Sequence, residues 1–271
     1  MPTINSYLTT MQSNLYVNGT ERESIKKSID AIYDRLGWYF GTGKNNPHKI
    51  IKKEIFGSYS RDTMLSRKYD NNSDIDLMII FEDSKDYNPQ TCLNWLKNFA
   101  EYWYPNSLVK QSLPTVVIEL QNIKFELVPA YVDQYNMIYI AKNGTSWQYT
   151  NPKDLNQKMN DLNGKTNFEF KRMVRLIKYW NVQKNNGRYQ SYSLEKYLME
   201  KFETSYTYCN NQYDYLDGAF YYLKNWFGEN DEYITPRIQA AINNLLLAKN
   251  CEEKYDYETA VNYIKRVIPE F

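Results

Sequence analysis

From Glu21 to Phe40 the apolar positions Ile25, Ile29, Ile32 and Leu36 recur at helical spacing, and Lys26, Lys27, Asp30 and Asp34 fill the opposite face. That pattern predicts an amphipathic helix of about five turns. The nineteen or so residues before it are polar and weakly patterned. Gly41 to Pro47 breaks the period and reads as an exposed loop. Ile50 to Phe56 reads as a strand running into Gly57-Ser58, with Tyr59 to Ser73 as a short helical turn and a flexible loop. Ile75 to Phe81, apolar at nearly every position, predicts a strand buried on both faces. Leu93, Leu96, Ala100 and Trp103 mark a helix ending near Pro105. Two strands follow, Thr115 to Leu120 and Lys124 to Val128, joined by a tight turn at Gln121-Asn122.

Asn143 to Pro152 is aperiodic and marks a boundary between two lobes. Beyond it the period is helical throughout: Phe168 to Gln183, Ser193 to Phe202, Leu216 to Trp226, Thr235 to Lys249 and Asp256 to Val267. Thr235 and Ser193 read as N-caps, with Pro236 at a first helical position. No repeat of 20 to 50 residues is present.

Composition narrows the function classes. Lys and Arg number 33 against 32 Asp and Glu, so the overall charge does not mark a polyanion binder, a local basic patch stays open, and long-duplex nucleic acid is an unexpected partner. Cys92, Cys209 and Cys251 are scattered, odd in number and without a CxxC pair, which predicts a reduced, cytoplasmic protein. His48 is the single histidine, so Ser-His-Asp or Cys-His catalysis would have to rest on it alone. No apolar run approaches the ~20 residues of a membrane span, and no signal pattern opens the chain. GTGKNN lacks the spacing of a phosphate-binding P-loop.

The chemistry concentrates in FGSYSRDTMLSRKYDNNSDIDLMIIF, residues 56–81. Asp74 and Asp76 are two apart at the start of a strand, so both carboxylates leave one face of the sheet. Gly57 permits close backbone approach, and Ser58 and the amides after it suit phosphate oxygens. Glu126 is a carboxylate in an otherwise apolar strand, expensive there unless partnered. Glu119, on the preceding strand, ranks behind it. Three such carboxylates on one sheet suit hard cations, because Mg²⁺ takes octahedral oxygen ligation and keeps substrate phosphates in its shell.

G-S, a polar loop containing T, S-D-I-D-L, and a later strand F-E-L-V-P-A together resemble the DNA polymerase β-type nucleotidyltransferase superfamily. Arg175-Leu-Ile-Lys-Tyr-Trp-Asn181 followed by Ser191-Tyr-Ser-Leu-Glu195 resembles the second lobe of the cyclic GMP-AMP synthase-like and oligoadenylate synthase-like enzymes, including the bacterial CD-NTases. The resemblance implies that Asp74, Asp76 and Glu126 are catalytic and hold Mg²⁺, for which Mn²⁺ can substitute. It implies that Gly57 and Ser58 hold the donor triphosphate, that Lys178 and Ser191 also reach it, and that Tyr192 stacks on the donor base. The third acid is commonly Asp in that family and is Glu here. The zinc-binding insertion of the animal DNA sensor has no counterpart. Read without the resemblance, Lys171, Arg175 and Lys178 are the solvated face of a helix whose core side is Met173, Val174, Ile177 and Trp180.

The expectation is a two-lobed α+β nucleotidyltransferase, with a mixed-sheet catalytic lobe over residues 1–150, a helical lobe over 151–271, and the nucleotide cleft between them. By resemblance it joins NTPs into a cyclic di- or trinucleotide that acts on a downstream effector, as in bacterial anti-phage signalling, and works as a monomer. The alternatives are nucleotidyl transfer to RNA or protein, and an NTP- or RNA-binding sensor that is dormant without an activator.

Overall fold

A computed structural model describes residues 2–43, 46–121, 123–226 and 232–270. Lys44 and Asn45 of the expected loop, and Asn122 of the expected tight turn, lie outside the described residues. The chain gathers into two compact units, each assembled from separate stretches. Asn18–Arg61 with Asn72–Asn156 form a sheet unit, and Met1–Val17, Asp62–Asn71 and Gln157–Phe271 form a helical unit.

The chain opens with a helix the hydropathy reading missed, α1 (Ile4–Leu15), capped by Thr3, whose hydroxyl accepts from the Ser6 amide at 3.2 Å. Its buried face is Ile4, Tyr7, Leu8, Met11 and Leu15. The period is helical, but Ser, Thr and Asn between those positions dilute it. The predicted amphipathic helix is α2 (Gly19–Gly37), capped by Asn18, and it continues into a wider π turn over Trp38–Thr42. Ile25, Ile29, Ile32 and Leu36 are all buried as their spacing requires.

The sheet unit continues with β1 (Ile50–Phe56), the single turn α3 (Gly57–Ser60), β2 (Asp74–Phe81), α4 (Pro89–Trp103), β3 (Leu108–Ser112), β4 (Thr115–Glu119), β5 (Lys124–Val132), β6 (Ile138–Ala141) and β7 (Trp147–Thr150). The strands order β1-β2-β5-β4-β3, and β6 pairs with β5 and carries β7. Among the described residues only β2 and β5 run parallel; the remaining pairings are antiparallel. The sheet is therefore mixed, as expected. It is larger than the hydropathy pattern indicated, because β3, β6 and β7 are short and half-exposed. The last of these lies within the stretch read as aperiodic.

From Ile75 to Phe81 every residue of β2 except Asp76 is at most 1% exposed, so the strand is covered on both faces. On one face Phe81 meets Phe40 and Trp95 edge-on, at ring separations of 5.0 and 5.3 Å. On the other, Met78, Ile80 and Ala130 pack with Phe56, Val132, Ile138 and Ile140. That second face, two residues along, is the one that carries Asp74 and Asp76.

The helical unit combines α1 with α5 (Pro152–Lys165), α6 (Glu169–Asn185), α7 (Ser191–Ser205), α8 (Gln212–Trp226), α9 (Ile234–Glu253) and α10 (Tyr257–Val267). The first turn of α5 belongs to the sheet unit. Two cap assignments are corrected. α9 begins at Ile234 with Tyr233 at its cap position, and α7 begins at Ser191 after Gln190, so Thr235 and Ser193 both lie inside their helices.

Within the stretch from Tyr59 to Ser73 the middle residues are packed, while Lys68, Asn71 and Asn72 are exposed. Thr63, Met64 and Leu65 are at most 2% exposed. Leu65 bridges to Tyr16, the Ser66 amide donates to the Leu15 carbonyl at 3.0 Å, and Arg175 Nη1 donates to the Asp62 carbonyl at 2.7 Å. The apolar pair inside a charged stretch is what anchors it to the helical unit.

Candidate active site

The parallel register of β2 and β5 sets Asp74 beside Lys124 and Asp76 beside Glu126. Neighbours in register project to the same face, and so do residues two apart along one strand. Asp74, Asp76, Lys124 and Glu126 thus form a two-by-two block at one end of the sheet. The antiparallel partner of Glu126 on β4 is Val117, and that of Lys124 is Glu119, whose side chain is exposed. Glu126, not Glu119, is therefore the third carboxylate adjacent to Asp76.

Three carboxylates in this space repel one another. Burial, first, and then the charges of Asp74 and Glu126 push the Asp76 carboxyl well above its ordinary range, against the opposing pull of Arg61 and Lys124. Glu126 is raised for the same reasons, burial before the charge of Asp74, with Lys124 opposing. Lys124 Nζ lies 3.0 Å from Asp74 Oδ2 and 3.4 Å from Glu126 Oε1. Burial by itself would favour the neutral amine, but the two carboxylates outweigh it and raise the lysine's proton affinity.

β1 delivers the glycine-serine turn to this block. Phe56 is the antiparallel partner of Asp76, so the turn that follows starts alongside that carboxylate. Gly57 has φ +72°, and a Cβ there would overlap the Asp76 carboxylate. Glycine is required twice over, for the left-handed backbone and for the space. The Ser60 hydroxyl donates to the Gly57 carbonyl at 2.9 Å and accepts from Asn156 Nδ2 at 3.1 Å, which fixes the turn from behind. Ser58, half-buried, is held at the start of that turn.

The residues expected from the C-terminal part of the chain lie in the helical unit. Lys178 Nζ is 3.0 Å from Glu195 Oε1, with side chains 6% and 0% exposed. The Thr63 hydroxyl donates to the same oxygen at 2.9 Å. Lys171 and Arg175 are buried too, so this side of α6 is not a solvated face. Lys171 donates to Asn160 Oδ1 at 2.6 Å, and Arg175 lies over the Tyr16 ring.

Ser191 and Tyr192 are exposed in the first turn of α7. Their position is set by the preceding turn. Asn181 Nδ2 donates to the Tyr189 carbonyl at 2.9 Å, and its Oδ1 accepts from the Tyr189 amide at 3.1 Å and from Asn185 at 3.0 Å. Asn186 and Gly187, both at positive φ, reverse the chain within that frame.

Sequence reasoning missed Lys124 and Glu195. Lys124 was legible, since it stands two residues before Glu126 on a strand and must share its face. Glu195 was quoted in the Ser191-Tyr-Ser-Leu-Glu195 stretch, but its pairing with Lys178 spans two helices and has no signature along the chain.

The donor set suits a hard divalent cation: all-oxygen, anionic, on rigid neighbouring strands, with an ammonium already drawn to it. Among the described residues, no three acidic, histidine or cysteine side chains converge closely enough to enclose an ion as they stand. The Lys124 ammonium contacts both Asp74 and Glu126. Among the described residues no helix is long and apolar enough to cross a membrane.

Residues 1–163 match the family model described as Second Messenger Oligonucleotide or Dinucleotide Synthetase domain. A probable cyclic nucleotide synthase of Bacillus cereus (strain VD146) is 26% identical over 276 residues, covering 82% of this chain and 81% of that protein. The structure of Vibrio cholerae DncV, a cyclic AMP-GMP synthase in complex with nonhydrolyzable GTP, is similar with a TM-score of 0.79 at 12% identity, over 99% of this chain and 96% of the other. CdnC of E. coli MS115-1, with ATP, gives 0.69 at 15% identity, over 98% of each chain. At such identities the structural likeness concerns the fold, which is that of the polymerase β-like CD-NTases. The family model spans more than half of the 271 residues, and on that ground the chain belongs to the second messenger oligonucleotide or dinucleotide synthetase family of nucleotidyltransferases.

Proposed function

We propose that the chain joins nucleoside triphosphates into a cyclic di- or trinucleotide with release of pyrophosphate, and that Asp74, Asp76 and Glu126 hold the divalent cation, Mg²⁺ or Mn²⁺, that the reaction uses. The observation that carries the reading is the side-by-side register of Asp76 and Glu126 with Asp74 two residues away, next to a glycine-serine turn. A bound divalent cation supplies charge neutralisation on the triphosphate and acidifies an attacking hydroxyl.

The chain's own part is positioning and proton transfer. A ribose hydroxyl of the acceptor attacks the α-phosphorus of the donor, the bond to the β-phosphate oxygen breaks, and pyrophosphate leaves. Glu126, set beside Asp76 by the parallel register, takes the hydroxyl proton. Gly57 and Ser58 hold the triphosphate through backbone and hydroxyl donors. Ser191 and Tyr192 enter the proposal as contacts to the triphosphate and the donor base, a tyrosine face being sequence-tolerant for any base. Repeating the transfer on the linear product closes the ring. The product then acts as a diffusible signal to an effector protein, and an anti-phage role follows from the family.

The test is incubation of the purified chain with labelled NTPs and Mg²⁺ or Mn²⁺, followed by phosphatase treatment and mass spectrometry. A phosphatase-resistant cyclic oligonucleotide is expected. Label transferred to RNA or to protein, or no NTP consumed under any condition, overturns the proposal.

A further inference from the structure

The carboxylate block contains a cation of its own. Lys124 neighbours Asp74 across the parallel pair and Glu126 along its own strand, so strand geometry sets its side chain on the same face beside both carboxylates, with Nζ 3.0 Å from Asp74 and 3.4 Å from Glu126. Its ammonium spans the two acids that stand diagonally in the block, Asp74 on β2 and Glu126 on β5. We propose that Lys124 is the resident counter-cation of the carboxylate set, and that a divalent cation binds Asp74 and Glu126 together only as the Lys124 ammonium withdraws from them. The inference rests on the metal-site reading of Asp74, Asp76 and Glu126 and adds a competitor to it.

Three features make the ammonium a competitor and not a support. It engages Asp74 Oδ2 and Glu126 Oε1, oxygens that a shared ion would also use. An ion on those oxygens would stand within a few ångströms of a like charge in a poorly solvated place, which disfavours joint occupancy. The lysine also has a way out. Its side chain is 19% exposed and those of Asp74 and Glu126 are 27% and 22% exposed, so the flexible four-carbon stem can carry the charge towards water.

The block therefore has two closed states, one neutralised by lysine and one by metal. An incoming triphosphate favours the second, because its oxygens offer the released ammonium a new acceptor and the ion further ligands. Metal affinity should be weak in the nucleotide-free protein and strengthen with nucleotide, and Lys124 should be the residue that makes the difference.

The test is a Mn²⁺ titration of the full chain without nucleotide, read from the electron paramagnetic resonance signal of the free ion. Lys124→Met and, as a second neutral variant should that one fold poorly, Lys124→Gln are compared with wild type, Lys124→Arg and the Asp74→Asn/Asp76→Asn double variant. The neutral variants are expected to bind Mn²⁺ about tenfold more tightly than wild type, the scale of removing one adjacent charge. Lys124→Arg should stay near wild type. Equal or weaker binding by both neutral variants overturns the proposal, while binding by wild type that the double variant loses still upholds the metal site itself. No Mn²⁺ binding by wild type or by the neutral variants overturns both.

Discussion

The carboxylate of Asp76 lies in the space that a Cβ on residue 57 would fill, so the glycine-serine turn and the acidic strand fit together only with glycine there. Gly57→Ala must either leave the left-handed backbone at φ +72° or displace the carboxylate. The backbone strain alone costs about 1–2 kcal/mol. An acidic group displaced by about 1 Å loses on the order of a hundredfold in rate. Gly57→Ala should therefore melt only a few degrees below wild type while NTP consumption falls at least that far. Thermal denaturation by circular dichroism and a pyrophosphate-release assay check the pair of outcomes; unchanged turnover would mean that the turn does not serve the carboxylates.

The crowding of Asp76 against Asp74 and Glu126 gives the metal-free protein a definite pH dependence. The folded-state affinities of Asp76 and Glu126 for protons are raised above ordinary carboxylate values of 3.8 and 4.5. A raised carboxylate binds its proton more tightly folded than unfolded, so its ionisation lowers stability as pH climbs from about 4 through the raised value. Asp76→Asn removes one of the charges. In chelator at pH 8 it should melt above wild type, and the gap should close below pH 4, where the wild-type carboxyl is protonated. The same variant should lose turnover, a stabilising change at the expense of activity. A variant less stable than wild type at pH 8 would contradict the electrostatic account.

The elements read correctly from the sequence are those whose period and punctuation agree. Asp76 on a buried strand, Gly57 at its turn, and the cores of α2 and α6 follow from alternation or from helical spacing. α1 was missed because Ser, Thr and Asn dilute its face, and β3, β6 and β7 because short, half-exposed strands carry little alternation. Partnerships between distant residues were illegible for a different reason. The Asp76–Glu126 register follows from a parallel pairing separated by fifty residues, and no local pattern specifies it. The interleaving of the two units, with residues 62–71 returning to the helical one, likewise depends on where Met64 and Leu65 find cover.

Glu126 is one methylene longer than the aspartate common at this place in the resembled superfamily. Glu126→Asp withdraws the carboxylate by about 1.5 Å, one carbon–carbon bond, whereas Glu126→Gln keeps the reach and removes the charge. If charge and proton acceptance matter more than reach, the Asp variant keeps a measurable part of the wild-type kcat and the Gln variant falls at least about a hundredfold below it. Steady-state kinetics at saturating Mn²⁺ check the order. A Gln variant more active than the Asp variant would remove Glu126 from proton transfer.

Lys178 and Glu195 form a buried pair inside the helical unit, and the Thr63 hydroxyl donates to the same glutamate oxygen. Removing one partner leaves an uncompensated buried charge, at a cost of about 3–5 kcal/mol, while replacing both by apolar side chains of similar volume is often close to neutral. Lys178→Met should therefore lower the urea midpoint strongly, and Lys178→Met with Glu195→Met should recover most of it. Steady-state kinetics of the same variants decides whether Lys178 also serves the triphosphate as the sequence resemblance implies. A lysine whose role is to hold Glu195 leaves KM for NTP unchanged in the restored double variant, whereas a lysine that reaches phosphate leaves KM raised there although the fold has been recovered.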